Sequence, residues 1–548
     1  MKKILLVLAV LVWGCTDLDV QPQNGLTEGI TFSDPASYQQ YLAKLYGSFI
    51  LTGQDGPDGD ADISIVNDEG FTSYIRAYWK AQELTTDEAI IAWTDADIRD
   101  MHEHNWTPSN QFIRILYFRI FYTIALCNDF LQQSSEESLS TYGIAESDRE
   151  TIRTYREDAR FLKALAYTHA MDLFRFVPIF EQLGVTPPQA EPEELFTWLE
   201  TQLSELETTL PDKEKGFTSQ YGRANKAAVW MMQARLYLNA EVYIGTPRYE
   251  EVIIAVDKLL NSGYSEADLE ANYSDLFKAD NHLSSEIIYP IISDGVNAQN
   301  WGGTTFLVSA AIGERMADNI QDGTEDGASL PLENEALINF GVSGGWAGLR
   351  TTSGMLDIFQ FRAVDQDPRG IFYDNGQTVS IPDRNDIGTF ENGIAVPKYI
   401  NRTKDDEPGS NQDHSDVDIP YFRLGDAYLM YAEATARGAG NGDVSRAIGF
   451  INLLRQRARN INGGIHPQNM TDLTIQDVMD ERVREMYWEG TRRTDLIRNG
   501  QFISGYNWPW KAGTALGTDS EPHRVVFPIP QSQIENNRSF RQLFTEYE

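Results

Sequence analysis

Residues 146–176 carry Ala159, Leu162, Ala166, Ala170 and Leu173 at three- and four-residue steps, the spacing of one face of a long helix. A stripe so rich in alanine lets another helix approach closely, so this stretch predicts helix-on-helix packing. Phe112, Leu116, Ile120, Ile124 and Cys127 repeat the spacing and predict a helix over 109–133. Further helical patterns span 193–210, 224–239 and 249–262. Near the start, Ser33-Asp34-Pro35 reads as a helix cap with proline in the first turn, followed by Tyr38, Leu42, Leu45, Tyr46 and Phe49.

Two stretches look like helix hairpins of the tetratricopeptide kind. In one, Ala227, Ala228, Ala234 and Leu238 are followed by Tyr249, Ala255 and Leu259. In the other, Ala427, Leu429, Ala432 and Ala434 are followed by Val444, Ala447 and Ile451. The sequence predicts a mostly α chain with its helical scaffold over about 34–51, 109–262 and 420–500. Residues 52–107 and 275–420 are rich in glycine, aspartate and asparagine and read as irregular, with short apolar runs such as Ile287-Ile288-Tyr289-Pro290-Ile291. Long loops on a rigid scaffold are where function concentrates.

A net charge of −36, from 81 acidic and 45 basic residues, argues against nucleic acid and anionic lipid as partners and suits a neutral or cationic ligand. The two cysteines exclude a disulfide-stapled core. Cys127 sits in an apolar helical run and reads as a small buried hydrophobe. Cys15 differs: Met1-Lys2-Lys3, an apolar run from Ile4 to Trp13 and then Gly14 precede it. That layout is a secretory leader over 1–14, too short to span a bilayer, ending at a lipobox-like cysteine that would carry the lipid anchor. Asp17 and Asp19 follow, as in lipoproteins exported to the cell surface. Residues 15–548 then read as one domain.

No phosphate loop, HExxH, paired CxxC or GxSxG motif is present. His102-x-His104 cannot place both rings on one helix face, and with 81 acids no glycosidase carboxylate pair stands out. Asp58, Asp60, Asp62 and Glu69 mimic a calcium loop, but Ile63 occupies the position of the glycine that its sharp turn needs. Asp416 and Asp418 form a second calcium corner on paper. No cofactor is required, and structural calcium is the one metal the sequence suggests.

Tryptophan is more informative. Trp93, Trp301 and Trp346 lie in polar or glycine-rich loops, among them Asn300-Trp301-Gly302-Gly303 and Gly344-Gly345-Trp346-Ala347-Gly348. One such residue reads as a plug over the core; three together equally fit uncovered indole faces on which sugar rings stack.

Several segments in order resemble the SusD/RagB family of outer-membrane nutrient-binding lipoproteins. They are Asn67-Asp68-Glu69-Gly70, Glu83-Leu84-Thr85-Thr86-Asp87-Glu88, Gly222-Arg223-Ala224-Asn225, Asp418-Ile419-Pro420-Tyr421-Phe422-Arg423, Glu481-Arg482 through Glu489-Gly490-Thr491-Arg492-Arg493-Thr494-Asp495, and Pro528-Ile529-Pro530. The resemblance covers the mature chain and implies four tetratricopeptide-like helix pairs packed against an irregular ligand-binding half. It also implies a non-catalytic role, capturing oligosaccharide for a SusC-like TonB-dependent transporter at the outer membrane. The segments around the three tryptophans resemble the starch-binding branch, which implies an aromatic arc of Trp93, Trp301 and Trp346 with Asp68, Arg76 and Asp95 as polar partners. There Trp301 replaces a tyrosine, and Asp95 falls beside the expected asparagine. Around 280–282 an acid of the family's calcium site is missing, and 313–340 is longer than usual. A β-glucan is the alternative ligand; a glycosidase, or a lid that only closes the transporter, are the rival roles.

Overall fold

A computed structural model describes residues 28–66, 68–313, 316, 340–462 and 466–548. The leader, Cys15 and nearly all of 313–340 lie outside the described residues.

The scaffold is helical. Asp34 caps α1 (Pro35–Gly47) by accepting the Ala36 N–H, with Pro35 in the first turn. Asn110 caps α3 (Gln111–Gln133), accepting from the N–H groups of Phe112 and Ile113. The long helix α4 (Glu146–Leu173) stops three residues short of the predicted end, because the chain turns away through a left-handed Arg175 (φ 59°) whose N–H returns to the carbonyl of Ala170. Its alanine stripe is fully buried, and α4 packs on α1, α3 and α5 (Pro192–Thr209). Both predicted hairpins form as packed helix pairs: α6 (Lys226–Leu238) on α7 (Tyr249–Asn261), and α9 (Leu424–Ala436) on α10 (Val444–Asn462). Behind them lie α11 (Ile475–Met486) and α12 (Arg492–Arg498).

The reading of 52–107 as irregular needs correction. It contains α2 (Tyr74–Glu83), a ten-residue helix with every residue buried. Its polar residues Arg76, Lys80, Gln82 and Glu83 are buried along with its apolar ones, so burial here does not follow the hydrophobic pattern from which a helix is read.

Two short antiparallel ladders tie distant loops together. β1 (Ile90–Ile91) pairs with β3 (Leu349–Arg350), Ile91 opposite Leu349. β2 (Ile287–Ile291) pairs with β4 (Ile419–Arg423), Ile291 opposite Ile419. Between them, α8 (Gly303–Ala310) is buried throughout.

The segments that carried the family resemblance form the buried bolts of this architecture. Arg423 is fully buried and reaches Glu286 at 3.1 Å, Glu485 at 2.6 Å and Glu489 at 2.7 Å. Arg369 joins the same cluster through Asp367, Glu481 and Glu485. Arg492 chelates Asp87 with bonds of 2.8 and 2.9 Å, while Glu83 accepts the N–H groups of Gly490 and Thr491. Those bonds join α2 and the loop after it to α12. Charges this deep are tolerable only when paired and hydrogen-bonded, as the arginine clusters are; burial pushes Glu83, which accepts backbone N–H groups here, up to about 7.

Candidate functional site

Each ladder delivers one pair of rings to the loop-rich face. In an antiparallel pair, residues after one strand meet residues before the other. Beyond β1 and ahead of β3 these are Trp93 and Trp346, and the Ala92 N–H bonds the Gly348 carbonyl at 2.8 Å. Beyond β2 and ahead of β4 they are Trp301 and His414, whose ring centroids are 4.4 Å apart.

Helix α8 joins the two pairs. Trp301 lies just before its N-terminus. At its other end the carbonyl of Ser309 accepts the Trp346 N–H at 2.7 Å and that of Ala310 the Gly348 N–H at 2.8 Å, while the carbonyl of Ile312, two residues past the helix, accepts the Ala347 N–H at 2.8 Å. Close approach requires the glycines here. A Cβ on Gly345 would lie 2.4 Å from the Ile312 carbonyl oxygen, and one on Gly348 would lie 2.9 Å from the Trp93 ring.

The structure therefore brings Trp93, Trp346 and Trp301 into one row. Centroids are 6.3 Å apart with planes at 42° for the first two, and 6.0 Å apart at 58° for the last two. All three are half-buried: Trp93 and Trp346 rest on the hydrophobic core while leaving part of each ring open. Neighbouring rings are tilted against one another, so their surface is not flat.

Arg76 lies beneath the row, 4% exposed. Its Nη1 donates to the Trp301 carbonyl at 2.9 Å, and its guanidinium lies over Phe306 at 4.6 Å and Phe71 at 4.9 Å. Burial pulls its pKa down to about 10, while the charges of Asp68, Glu69 and Asp95 pull it back up. It stays protonated at neutral pH. One turn along α2, Lys80 is buried over Phe71 and Phe112 and pushed well below the usual lysine range by burial and then by Arg76. Asp68 is exposed and Asp95 half-exposed. Gly70 is the pivot: a Cβ there would lie 2.9 Å from Trp301 Cβ, 3.1 Å from Arg76 Nη1 and 3.3 Å from Asp68 Oδ1. Sequence reasoning missed Phe306, Phe71 and His414, which lie in unremarkable local contexts.

The calcium suggestions do not fit the donors present. Asp416 accepts from the N–H groups of Gly295 and Ser410 and the hydroxyl of Ser410. Asp418 is buried and accepts from Tyr221 Oη at 2.6 Å and the Ser293 N–H at 2.8 Å; burial raises its pKa to about 7. Hydrogens converging on both carboxylates are the opposite of the all-oxygen shell calcium takes. Among the described residues no group of three or more His, Cys, Asp or Glu is placed to hold a metal. His104 bonds Ser520 and Thr85, and His102 is buried, so the two do not form a metal pair.

An open aromatic row beside a few polar groups on a helical scaffold has the chemistry of a ligand site. The chain belongs to the SusD family, whose model matches residues 321–546. Starch-binding protein SusD of Bacteroides thetaiotaomicron is 35% identical across 98% of this chain and 97% of its own length. SusD-like protein P25 of Formosa agariphila is 25% identical across 69% of this chain and 70% of its own. Among solved structures, surface glycan-binding protein A of B. thetaiotaomicron in complex with laminarihexaose superposes with a TM-score of 0.64 at 19% identity, covering 92% of this chain and 99% of that one. A SusD superfamily protein of Parabacteroides distasonis gives 0.65 at 18% identity, covering 95% and 100%. These superpositions establish the shared fold. The starch-binding relative and the surface glycan-binding protein are named as binding proteins, not enzymes. No helix among the described residues is long and apolar enough to cross a membrane.

Proposed function

We propose that this protein is a non-catalytic, cell-surface receptor for a starch-like α-glucan or its malto-oligosaccharides. It stacks the sugar on Trp93, Trp346 and Trp301, binds hydroxyls through Asp68, Arg76 and Asp95, and passes the glycan to a SusC-like TonB-dependent transporter. Lipid on Cys15 holds it at the outer membrane.

The observation that carries this reading is the three half-buried indoles brought side by side, with neighbouring planes at 42° and 58°. Pyranose C–H faces pack on aromatic faces, and adjacent rings at different tilts offer stacking faces to successive sugars of a chain. The 35% identity to a protein named for starch binding supports the choice of glucan.

The test is calorimetric titration with maltoheptaose and, separately, laminarihexaose, alongside native gels containing starch. Wild-type protein is expected to bind maltoheptaose and be retarded by starch, and Trp93→Ala and Trp346→Ala to lose both. Unchanged mobility of both variants overturns the site; preference for laminarihexaose overturns the α-glucan.

A further inference from the structure

Asp58 has no part in the reading above, yet it touches the row directly. Its Oδ1 accepts the indole N–H of Trp301 at 2.8 Å. The loop that carries it is tightly closed. The Asp62 N–H reaches the Thr52 carbonyl at 2.8 Å and the Gly59 N–H reaches that of Gly56 at 3.3 Å. A Cβ on Gly53 would lie 2.3 Å from the Asp60 carbonyl oxygen, and one on Gly59 2.4 Å from Asp55 Cβ. Such a loop presents the carboxylate from a defined position.

Trp301 is thus held at three points by three separate parts of the chain. Asp58 holds its indole N–H, Arg76 its backbone carbonyl at 2.9 Å, and the buried His414 ring lies 4.4 Å away, with Nδ1 3.0 Å from the Asn300 carbonyl. Of these, only Asp58 hydrogen-bonds the indole. A half-exposed ring that is not held must be ordered when ligand arrives, and that ordering weakens binding. A carboxylate on the indole N–H also draws the proton toward itself and leaves the ring face more electron-rich, which favours the slightly positive C–H groups of a sugar.

We infer that Asp58 is a positioning residue that determines glycan affinity through Trp301, setting the tilt of the third ring without touching the sugar. This rests on the reading of the row as a glycan site.

The experiment compares full-length wild type, Asp58→Ala, Asp58→Asn, Trp301→Ala and the Asp58→Ala/Trp301→Ala double variant. Maltoheptaose affinity is measured by calorimetry, and near-ultraviolet circular dichroism and acrylamide quenching of tryptophan emission are recorded without ligand. Asp58→Ala is expected to weaken binding about tenfold, the scale of one charge-assisted hydrogen bond. Asp58→Asn, whose amide oxygen still accepts but carries no charge, is expected to recover part of the affinity lost in Asp58→Ala. In the Trp301→Ala background Asp58→Ala changes neither affinity nor the tryptophan signals. Unchanged affinity in Asp58→Ala overturns the inference, as does an equal loss in both backgrounds. If wild type fails to bind maltoheptaose, the starch reading falls, while the ligand-free signals still decide whether Asp58 holds Trp301: an Asp58→Ala signal identical to wild type overturns it.

Discussion

The indole N–H of Trp93 donates to the backbone carbonyl of Trp346 at 3.1 Å, across 253 positions of sequence. One ring is therefore fixed against the chain that carries the next, and the angle between them is a property of the fold rather than of either loop. Trp93→Phe keeps an aromatic face but removes that bond. Glucan affinity is expected to fall about fivefold to tenfold, with little change in melting temperature, by calorimetry and thermal melts.

Gly348 has no room for a side chain on the Trp93 side. A methyl group there would meet three atoms of a rigid indole at 2.9 to 3.0 Å. Gly348→Ala is expected to push Trp93 out of the row and to lose most glucan retention in starch-containing gels. Its denaturation midpoint should stay within about 1 to 3 kcal/mol of wild type, the usual cost of local overpacking.

Arg76 is buried, and its Nε lacks a hydrogen-bond partner. Desolvating that charge is unfavourable for folding, so it is retained against stability. Arg76→Met is expected to melt no lower than wild type while binding maltoheptaose at least tenfold more weakly. Differential scanning calorimetry and titration calorimetry together check the two halves of that statement.

Arg423 holds three glutamates at the junction of β4, α9 and the end of α11. Its removal takes the shared cation from three buried glutamates, leaving Glu286 and Glu485 to Arg457 and Glu489 to Lys398. Arg423→Ala is expected to cost about 3 to 5 kcal/mol, read as a lower midpoint in chemical denaturation.

Burial, with nearby cationic side chains adding to it, pulls the pKa values of His102, His104 and His169 down to about 3, so all three are neutral in the native state. At Glu433 burial acts upward, but Arg498, Arg437 and Arg482 override it and bring the pKa down to about 2. The unfolded chain takes up these protons near pH 6.5 and 4.5, the folded chain only lower, so their stabilisation is lost as pH falls. Glu83 and Asp418, raised to about 7 chiefly by burial, act in the opposite sense. Their contribution is complete below the ordinary carboxylate range and is lost as pH rises toward 7. The two carboxylates partly offset the three histidines between roughly pH 6.5 and 4.5. Below that Glu83 no longer opposes the histidines, each contributing about 1.4 kcal/mol per pH unit, and Asp418 ceases to do so near pH 3.8. Melting temperature is expected to drop steeply between about pH 4.5 and 3, checked by thermal melts across that range.

The sequence by itself determined the helices and the residues worth watching. Three- and four-residue spacing is written locally, so α3, α4, α6, α7, α9 and α10 were legible, and three tryptophans in polar loops stood out by context alone. Tertiary structure decided the rest. Helix α2 is only ten residues long within a Gly- and Asp-rich stretch, and its polar Arg76, Lys80, Gln82 and Glu83 are buried by tertiary contacts that no local pattern encodes. The row of rings exists only because two short ladders, whose register no local pattern encodes, set Trp93 beside Trp346 and Trp301 beside His414. Asp58 shows the same division. Its spacing to Asp60, Asp62 and Glu69 imitates a calcium loop, but the folded loop turns its carboxylate onto an indole 243 positions away. Local spacing specifies which residues share a helix face, whereas long-range contacts select which partner each side chain meets.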